Sequence, residues 1–265
     1  MKLRGAVAVV TGASAGIGRS TAKALAREGA IVVVSARRED RLQELVESIL
    51  SAGGQASPVA CDVSDREQVK ALAQRVQELH GRCDILVNNA GVPGGGPFPE
   101  LSWEQIERIV TTNYVGLLAV TKEFLPMMLS RGRGHIVNVA SLAGRFAVPG
   151  SSVYSSTKHA VVAFSEALHY ELAPQGIRVT AVNPGLVETE GFPHRDAVGK
   201  GRRVMKPERI ADLIVNVIRS GKAPEVSIPR SLAAMQIVRM IAPPLYRFGL
   251  QRAARTTVRP TRASD

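Results

Sequence analysis

Only two of the 265 residues are cysteine. Cys61 and Cys83 stand beside strand-like segments, with neither a disulfide-framework nor a metal-ligand spacing. That points to reduced, structural thiols and to a reducing, cytoplasmic compartment. His80, His135, His159, His169 and His194 show no ligand spacing either, so no metal is expected. Aromatic residues make up 4% of the chain, and no recognisable RNA- or DNA-binding module is present, which argues against a nucleic-acid partner. No run approaches the ~20 apolar residues of a membrane-spanning helix. The apolar stretch before Thr11-Gly12 is short and reads as a first strand, not as a signal peptide. Acidic residues are scarce at one end. Residues 200–265 carry 14 Lys+Arg against 4 Asp+Glu, whereas residues 1–199 carry 20 against 19. After Ile228, seven arginines and no lysine are opposed by Asp265 alone.

What is present is an alternation of strand and helix patterns without a low-complexity linker. Apolar runs at Ala6–Val10, Ile31–Ser35, Ala56–Ala60, Ile85–Asn88, His135–Ala140, Ile177–Asn183 and Glu225–Ile228 read as strands. They are continuous more than alternating, as in a parallel sheet covered on both faces. Helical periodicity lies between them, as at Leu42, Leu45 and Ile49, and Ser64-Asp65-Arg66-Glu67 supplies capping chemistry before Val69, Leu72 and Val76. The expected fold is an α/β doubly wound parallel sheet of about seven strands with helices on both faces. Residues 1–229 form the expected catalytic domain, and residues 230–265 a basic, partly apolar extension.

The chemistry-bearing residues are Ser141, Tyr154 and Lys158. Tyr154 and Lys158 are four apart, which on a helix puts phenol and ammonium on one face. A phenol with a pKa near ~10 is a poor catalyst at neutral pH, and a neighbouring ammonium favours its ionised form. A serine hydroxyl can hold a substrate oxygen while the proton moves. The complementary signal is Thr11-Gly12-Ala13-Ser14-Ala15-Gly16-Ile17-Gly18, a glycine-rich turn between strand and helix that lets the backbone approach a pyrophosphate at a helix N-terminus.

With Cys61-Asp62-Val63, Asn88-Asn89-Ala90-Gly91, Asn113 and Asn183-Pro184-Gly185 through Thr189, these motifs stand in the order of a known family. From about Leu3 to Ile228 the chain resembles the compact, single-domain short-chain dehydrogenases/reductases. The resemblance implies a Rossmann-type fold, a nicotinamide cofactor and a tetrad of Asn113, Ser141, Tyr154 and Lys158. It implies that Gly12, Gly16, Ile17 and Gly18 form the cofactor turn, and that Asp62 and Val63 meet the adenine. Asn89, Ala90 and Gly91 leave room for the ribose, with Asn89 also tying strands together. Pro184, Gly185, Val187 and Thr189 seat the nicotinamide, and Lys158 binds its ribose. Asn113, set within a helix, distorts it and positions a water that feeds protons to Lys158. A homodimer or homotetramer built through the helices Ser102–Ser130 and Ser152–Ala173 is implied too. Leu117, Val120, Phe124, Met128, Val161, Phe164 and Leu168 are candidates for either that interface or the core.

Cofactor choice hangs on the end of the second strand, where a carboxylate would bind the 2′-hydroxyl of NAD. This chain has Ala36 followed by Arg37 and Arg38, and Ser14 in the glycine turn can add a hydroxyl, so NADP(H) is expected with Arg37 foremost. The implied activity is NADP(H)-dependent interconversion of a ketone or aldehyde with an alcohol. A catalytically silent NADP(H)-binding regulator is the alternative, disfavoured by an intact tetrad. Substrate is expected at Pro93–Pro99, Ala143–Pro149 and the loop Glu190–Met205, whose Phe98, Leu142, Phe146, Val148 and Phe192 suit a hydrophobic ketone. Arg145 offers an opening for an acidic group. Beyond Pro229, apolar residues interleaved with arginines fit either packing over the pocket or a partner subunit, or peripheral contact with an anionic membrane.

Overall fold

The computed structural model describes residues 1–94, 96–190, 204–229 and 235–257, without the side chains of Met235 and residues 253–257. Most of the expected substrate loop, including Gly191, Phe192, His194, Gly199 and Gly201, lies outside the described residues, as do Gly95, Arg230, Leu232, Arg259 and Arg262.

Seven strands form one parallel sheet: β1 (Val7–Thr11), β2 (Ile31–Ala36), β3 (Gln55–Ala60), β4 (Ile85–Asn88), β5 (Gly134–Val139), β6 (Ile177–Pro184) and β7 (Glu225–Ile228). Their order is β3-β2-β1-β4-β5-β6-β7, so the order reverses between β1 and β4. This is the Rossmann-type α/β fold, and every strand falls within one residue of its expected limits. The central strands are apolar on both faces because both faces are covered. Helices α1 (Gly16–Arg27), α2 (Glu39–Ser51) and a later helix, Pro207–Ser220, bury Leu25, Leu42, Leu45, Ile210 and Ile214 on one side. On the other side, α3 (Arg66–His80) and two later helices bury Leu72, Val76, Phe124 and Leu168. Asp65 caps α3 by accepting from the backbone N–H groups of Glu67 and Gln68, which satisfies donors that the first helical turn leaves free.

The helix expected over Ser102–Ser130 runs unbroken from Trp103 to Leu129, with a π turn set in it. It comprises α4 (Trp103–Val110), a π turn over Thr111–Val115 with Asn113 at its middle, and α5 (Gly116–Leu129). Such π turns insert a residue into the helical ladder and re-aim what surrounds it. Helix α6 (Ser152–Leu172) carries Tyr154 and Lys158, and α7 is the Pro207–Ser220 helix. The candidate interface residues Leu117, Val120, Phe124, Met128, Val161 and Leu168 all point into the core of the single chain. The exposed apolar residues of these helices are instead Trp103, Leu129 and Tyr170.

One set of buried polar side chains is paired across the sheet. Asn88 Nδ2 donates to Thr121 Oγ1 and to Asn138 Oδ1, both at 2.9 Å, and Asn138 Nδ2 donates to Ser165 Oγ at 2.8 Å. At the opposite sheet edge from the cleft described below, buried Asp84 accepts from Val7 N at 2.9 Å and faces Arg82, Arg131 and Arg133. Cys61 and Cys83 are free and buried. Burial first, then the Asp62 charge, pushes the Cys61 thiol up to about 11, so neither chemistry nor exposure favours reactivity.

His135 is the buried group with a clear consequence for stability. Thr180 Oγ1 donates its only proton to Lys222 O at 2.6 Å, so His135 Nε2, at 2.9 Å from that hydroxyl, is the donor. The ring is neutral. Burial, then the Arg178 charge, holds its pKa down at about 3. An unfolded histidine, with a pKa near ~6.5, takes up its proton across the window where the folded one does not, so stability falls as pH drops from about 6.5 toward 3. The slope from this group is about 1.4 kcal/mol per pH unit at most. His135→Gln is expected to flatten the decline in urea-unfolding free energy between pH 6 and 4 relative to the unmodified protein. Parallel declines would remove His135 from the acid sensitivity.

Candidate active site

The cleft opens at the carboxyl ends of β1 and β4, where the strand order reverses and ligands bind in open α/β sheets. Its volume is about 350 Å³. The turn Gly12–Gly16 enters it from β1 because of how close the backbones run. A Cβ on Gly12 would stand 2.7 Å from Ala90 Cα, and one on Gly18 2.3 Å from Gly12 O. Asn89 Nδ2 clasps Thr11 O at 3.0 Å and Gly12 O at 3.1 Å, while Thr11 Oγ1 accepts from Asn89 N and Ala90 N.

Of the candidate residues, Gly12, Ser14, Gly16, Ile17, Arg37, Arg38, Asp62, Val63, Asn89, Ala90, Gly91, Tyr154, Lys158 and Thr189 line this cleft. Gly18, Asn113, Ser141, Pro184, Gly185 and Val187 do not. Gly18 serves the turn's packing. Gly185 N donates to Ile228 O at 2.8 Å, and Val187 bridges Met205, so both belong to the connection after β6. Asn113 lies behind Gly91, where Oδ1 accepts from Val92 N at 2.7 Å and Nδ2 donates to Val92 O at 3.0 Å.

Ser141 stands at the end of β5, where the chain turns through Leu142–Gly144, and its Oγ accepts from Ala143 N at 3.1 Å. Burial raises the Tyr154 phenol above its ordinary value, and a hydrogen bond with Ser141 only partly opposes this. Lys158 Nζ is fully enclosed, donates to Val139 O at 3.0 Å and lies 5.7 Å from the Tyr154 ring centre. Burial alone pulls its pKa down to about 8. Burial moves the two groups toward each other, the phenol up and the ammonium down.

The two arginines after β2 meet different partners. Arg37 Nη1 faces Asp62 Oδ2 at 3.7 Å, whereas Arg38 Nη2 donates to Ser14 Oγ at 3.0 Å and pairs with Glu190 at 2.9 Å. Burial works to raise the Asp62 carboxyl, but hydrogen bonds from Ser64, aided by Arg37, hold it below its ordinary value. Glu190 went unnoticed in the sequence because its partner lies 152 positions away; only its place at the head of a loop after β6 hinted at the cleft.

Two expected substrate segments flank Tyr154. A Cβ on Gly94 would touch Tyr154 Cβ at 2.9 Å, Gly96 N donates to Gly150 O, and Val148 N donates to Ser155 Oγ. Arg145 is not available to an acidic substrate. Its guanidinium pairs with Glu225 at 2.9 Å and donates to Gln236 Oε1 at 3.0 Å, because β7 and a C-terminal helix close over it. His159 turns its Nδ1 to Ser155 O and takes no part. Among the described residues no cluster of His, Cys, Asp and Glu fits a metal ion.

A lysine that is buried while charged opposes folding. Its folded pKa, about 8, lies below its ordinary 10.5, so the cost is complete below pH 8 and disappears as pH approaches 10.5. The shift corresponds to on the order of 3 kcal/mol. Lys158→Met is expected to raise the unfolding free energy at pH 7 by up to that amount, the gain shrinking between pH 8 and 10.5. A loss of stability at pH 7, measured by urea unfolding, would show that the Val139 hydrogen bond outweighs the burial cost.

Comparison with known proteins agrees with this geometry. The short chain dehydrogenase family model matches residues 6–197. The ketoacyl reductase HetN of Nostoc sp. is 36% identical over 228 residues, covering 85% of this chain and 79% of its own. An actinorhodin polyketide ketoreductase variant crystallised with NADPH superposes with a TM-score of 0.79 at 38% identity, covering 84% of this chain and 95% of the other. A short-chain type dehydrogenase/reductase from Mycobacterium marinum gives a TM-score of 0.79 at 33% identity, over 86% and 95% of the two chains. The chain belongs to the short-chain dehydrogenase/reductase family, enzymes that interconvert carbonyl and CH–OH groups with a nicotinamide cofactor.

Proposed function

We propose that this enzyme reduces the ketone of an apolar, acyl-chain type substrate with NADPH. The observation that carries the reading is the neutral, half-buried Tyr154 beside the buried Lys158 ammonium, which lies 5.7 Å from its ring centre. The cleft fits a dinucleotide phosphate. Gly16 (φ 54°) packs against Thr189, where a Cβ would meet Thr189 Cγ2 at 2.9 Å, and both line the cleft at the N-terminus of α1, where an anion is favoured. When bound, the nicotinamide supplies the hydride. Gly12, Ser14, Gly16, Ile17, Asp62, Val63, Ala90 and Gly91 would hold the cofactor's adenosine and phosphates, and Thr189 and the Pro184–Val187 connection its nicotinamide end.

Tyr154 donates its proton to the carbonyl oxygen, and Ser141 holds that oxygen while negative charge develops on it. Burial suits this direction, since a phenol with a raised pKa stays protonated at neutral pH. Lys158 keeps one N–H on Val139 O and has two left, for the ribose hydroxyls and for stabilising the phenolate after transfer. Asn113 acts as a positioning residue. Its side chain fixes the backbone of Val92 beneath the cleft, and the π turn around it provides backbone for the expected water. The substrate class rests on the ketoacyl and polyketide ketoreductase relatives, on the apolar exposure of Phe98 and Val148 at the mouth, and on the engagement of Arg145 elsewhere.

Tyr154→Phe is expected to abolish NADPH-dependent reduction of 3-oxoacyl thioesters while leaving NADPH binding intact, because only the transferable proton is deleted. In the unmodified enzyme the proton donor persists through neutral and mildly alkaline pH, so the reduction rate declines, and the reverse oxidation rises, only above the ordinary phenol pKa of 10. Steady-state kinetics on both directions, with and without the substitution, decide. Near-normal turnover in Tyr154→Phe, or no turnover on any carbonyl by the unmodified protein, would leave the silent-regulator reading.

For the cofactor, Arg38 with Ser14 is the foremost candidate for the 2′-phosphate and Arg37 the second, each now held by a carboxylate that a phosphate would displace. Charge-assisted contacts of ~1.5–3 kcal/mol predict a preference of about ten- to a hundred-fold for NADPH over NADH. Arg38→Ala is expected to narrow this gap chiefly through the NADPH KM, and Glu190→Gln to widen it. Equal use of both cofactors by the unmodified enzyme would overturn the assignment.

A further inference from the structure

The C-terminal helices α8 (Met235–Ile241) and α9 (Pro243–Thr257) are amphipathic the wrong way round for a core element. Hydrogen bonds from Ala242 N to Val238 O and from Tyr246 N to Ala242 O carry the helical ladder across the break at Pro243-Pro244. The faces of the two helices are therefore nearly in phase. The inner face is mixed, with polar groups over Arg145, and Tyr246 and Leu250 farther along. Gln236 accepts from Arg145 Nη2 at 3.0 Å, Arg239 Nη1 donates to Arg145 O at 3.1 Å, and the Arg239 guanidinium lies 5.8 Å over the Tyr246 ring. Ala242, Tyr246 and Leu250 continue that half-buried face. The outer face is apolar. Ile237, Met240, Ile241, Leu245 and Phe248 recur at helical spacing, and Met240 and Ile241 are 82% and 77% exposed. Scattered exposed apolar residues are ordinary, but a contiguous row on one helix face marks a docking surface.

Charge says what covers it. From Pro229 onward the sequence carries seven arginines, no lysine and one carboxylate, and Arg247 and Arg252 are exposed beside the apolar row. Mating this face with a second copy would bring two strongly positive segments together. An anionic lipid surface offers both an apolar layer and a complementary charge. Long arginine stems can lie along the apolar face with their guanidinium groups at headgroup level. No helix among the described residues is long and apolar enough to cross a membrane, so the element lies flat.

We propose that the outer face of α8–α9 docks the enzyme on an anionic bilayer interface. Arg145 is the joint of this arrangement. It ties α8 to the turn that begins at Ser141, so docking brings the substrate side of the cleft to the lipid surface.

The test is co-sedimentation of the full chain with vesicles of phosphatidylcholine alone and of phosphatidylcholine with phosphatidylglycerol, at low and high salt. Binding to the anionic vesicles that weakens with salt is expected. An arginine near such a surface contributes roughly five-fold in partitioning, so Arg247→Glu with Arg252→Glu is expected to weaken it more than ten-fold. Ile241→Asp with Phe248→Asp is expected to do the same without lowering the melting temperature, since neither side chain packs in the core. No binding, or equal binding to neutral and anionic vesicles, would overturn the proposal. So would lipid-free oligomers that dissociate in the Ile241→Asp, Phe248→Asp variant, which would identify a second copy as the occupant.

Discussion

The clasp between Thr11 and Asn89 is the contact on which the cleft depends. One side chain, Asn89, binds two successive carbonyls of the β1 exit, and one hydroxyl, Thr11, takes two successive N–H groups of the β4 exit while donating to Val87 O. The two strands diverge at this point, so no sheet ladder is left to hold them; side chains take over what the backbone can no longer do. The clasp also sets how near the glycine turn runs to Ala90. It explains why Gly12 and Gly18 are needed as packing elements before any ligand is considered: their absent Cβ atoms would occupy the space that Ala90 Cα and Gly12 O fill. The cleft beside the N-terminus of α1 opens next to that close fit.

Against this rigid frame the ionisable groups sit in an unfavourable state. Lys158 is enclosed with a single carbonyl partner, and Tyr154 is raised by its surroundings. A core chosen for stability would carry an apolar residue at position 158. Retaining a cation there makes sense for a site that must receive negative charge on a phenol and then hand it back, because little of the stabilising field is screened by water. The surrounding structure carries the cost: the paired Asn88, Asn138, Thr121 and Ser165 lock β4, β5, α5 and α6 together without leaving their amide nitrogens bare.

Much of this was legible in the sequence, and the reasons are specific. Parallel strands buried on both faces read as unbroken apolar runs, so β1, β2, β4, β5 and β6 announce themselves, and Asp65 marks the start of α3 by a cap whose chemistry is local. Contacts between distant positions were not legible. Arg38 finds Glu190, Arg145 finds Glu225 and Gln236, and Lys158 finds a backbone carbonyl, which no side-chain pattern reveals. The different partners of Arg37 and Arg38 were not legible either, because the direction a side chain takes after a strand ends depends on the local turn. The assignment of Leu117, Val120, Phe124 and Met128 was open for a different reason: helical periodicity identifies an apolar face but not what it packs against. The π turn at Asn113 follows from resemblance alone, since the apolar spacing runs on through it.

Arg145 shows how the part of the chain outside the family match is joined to the part within it. The family model ends at residue 197, yet Glu225 on β7 holds the Arg145 guanidinium, and Gln236 and Arg239 on α8 take up another N–H of that side chain and its carbonyl. Glu225 is itself fixed by Asn183 on β6, at 2.7 Å. A movement of α8 is therefore felt first at the turn after Ser141, not at the β1–α1 junction, which shares none of these partners. The β1–α1 side of the cleft is built on the clasp and shares no partner with α8, whereas the turn after Ser141, where the proposed substrate would sit, is tied to it. Any partner seated on α8–α9 would in this way bear on the substrate side of the proposed reaction, while the grip on the dinucleotide stays as the sheet has set it.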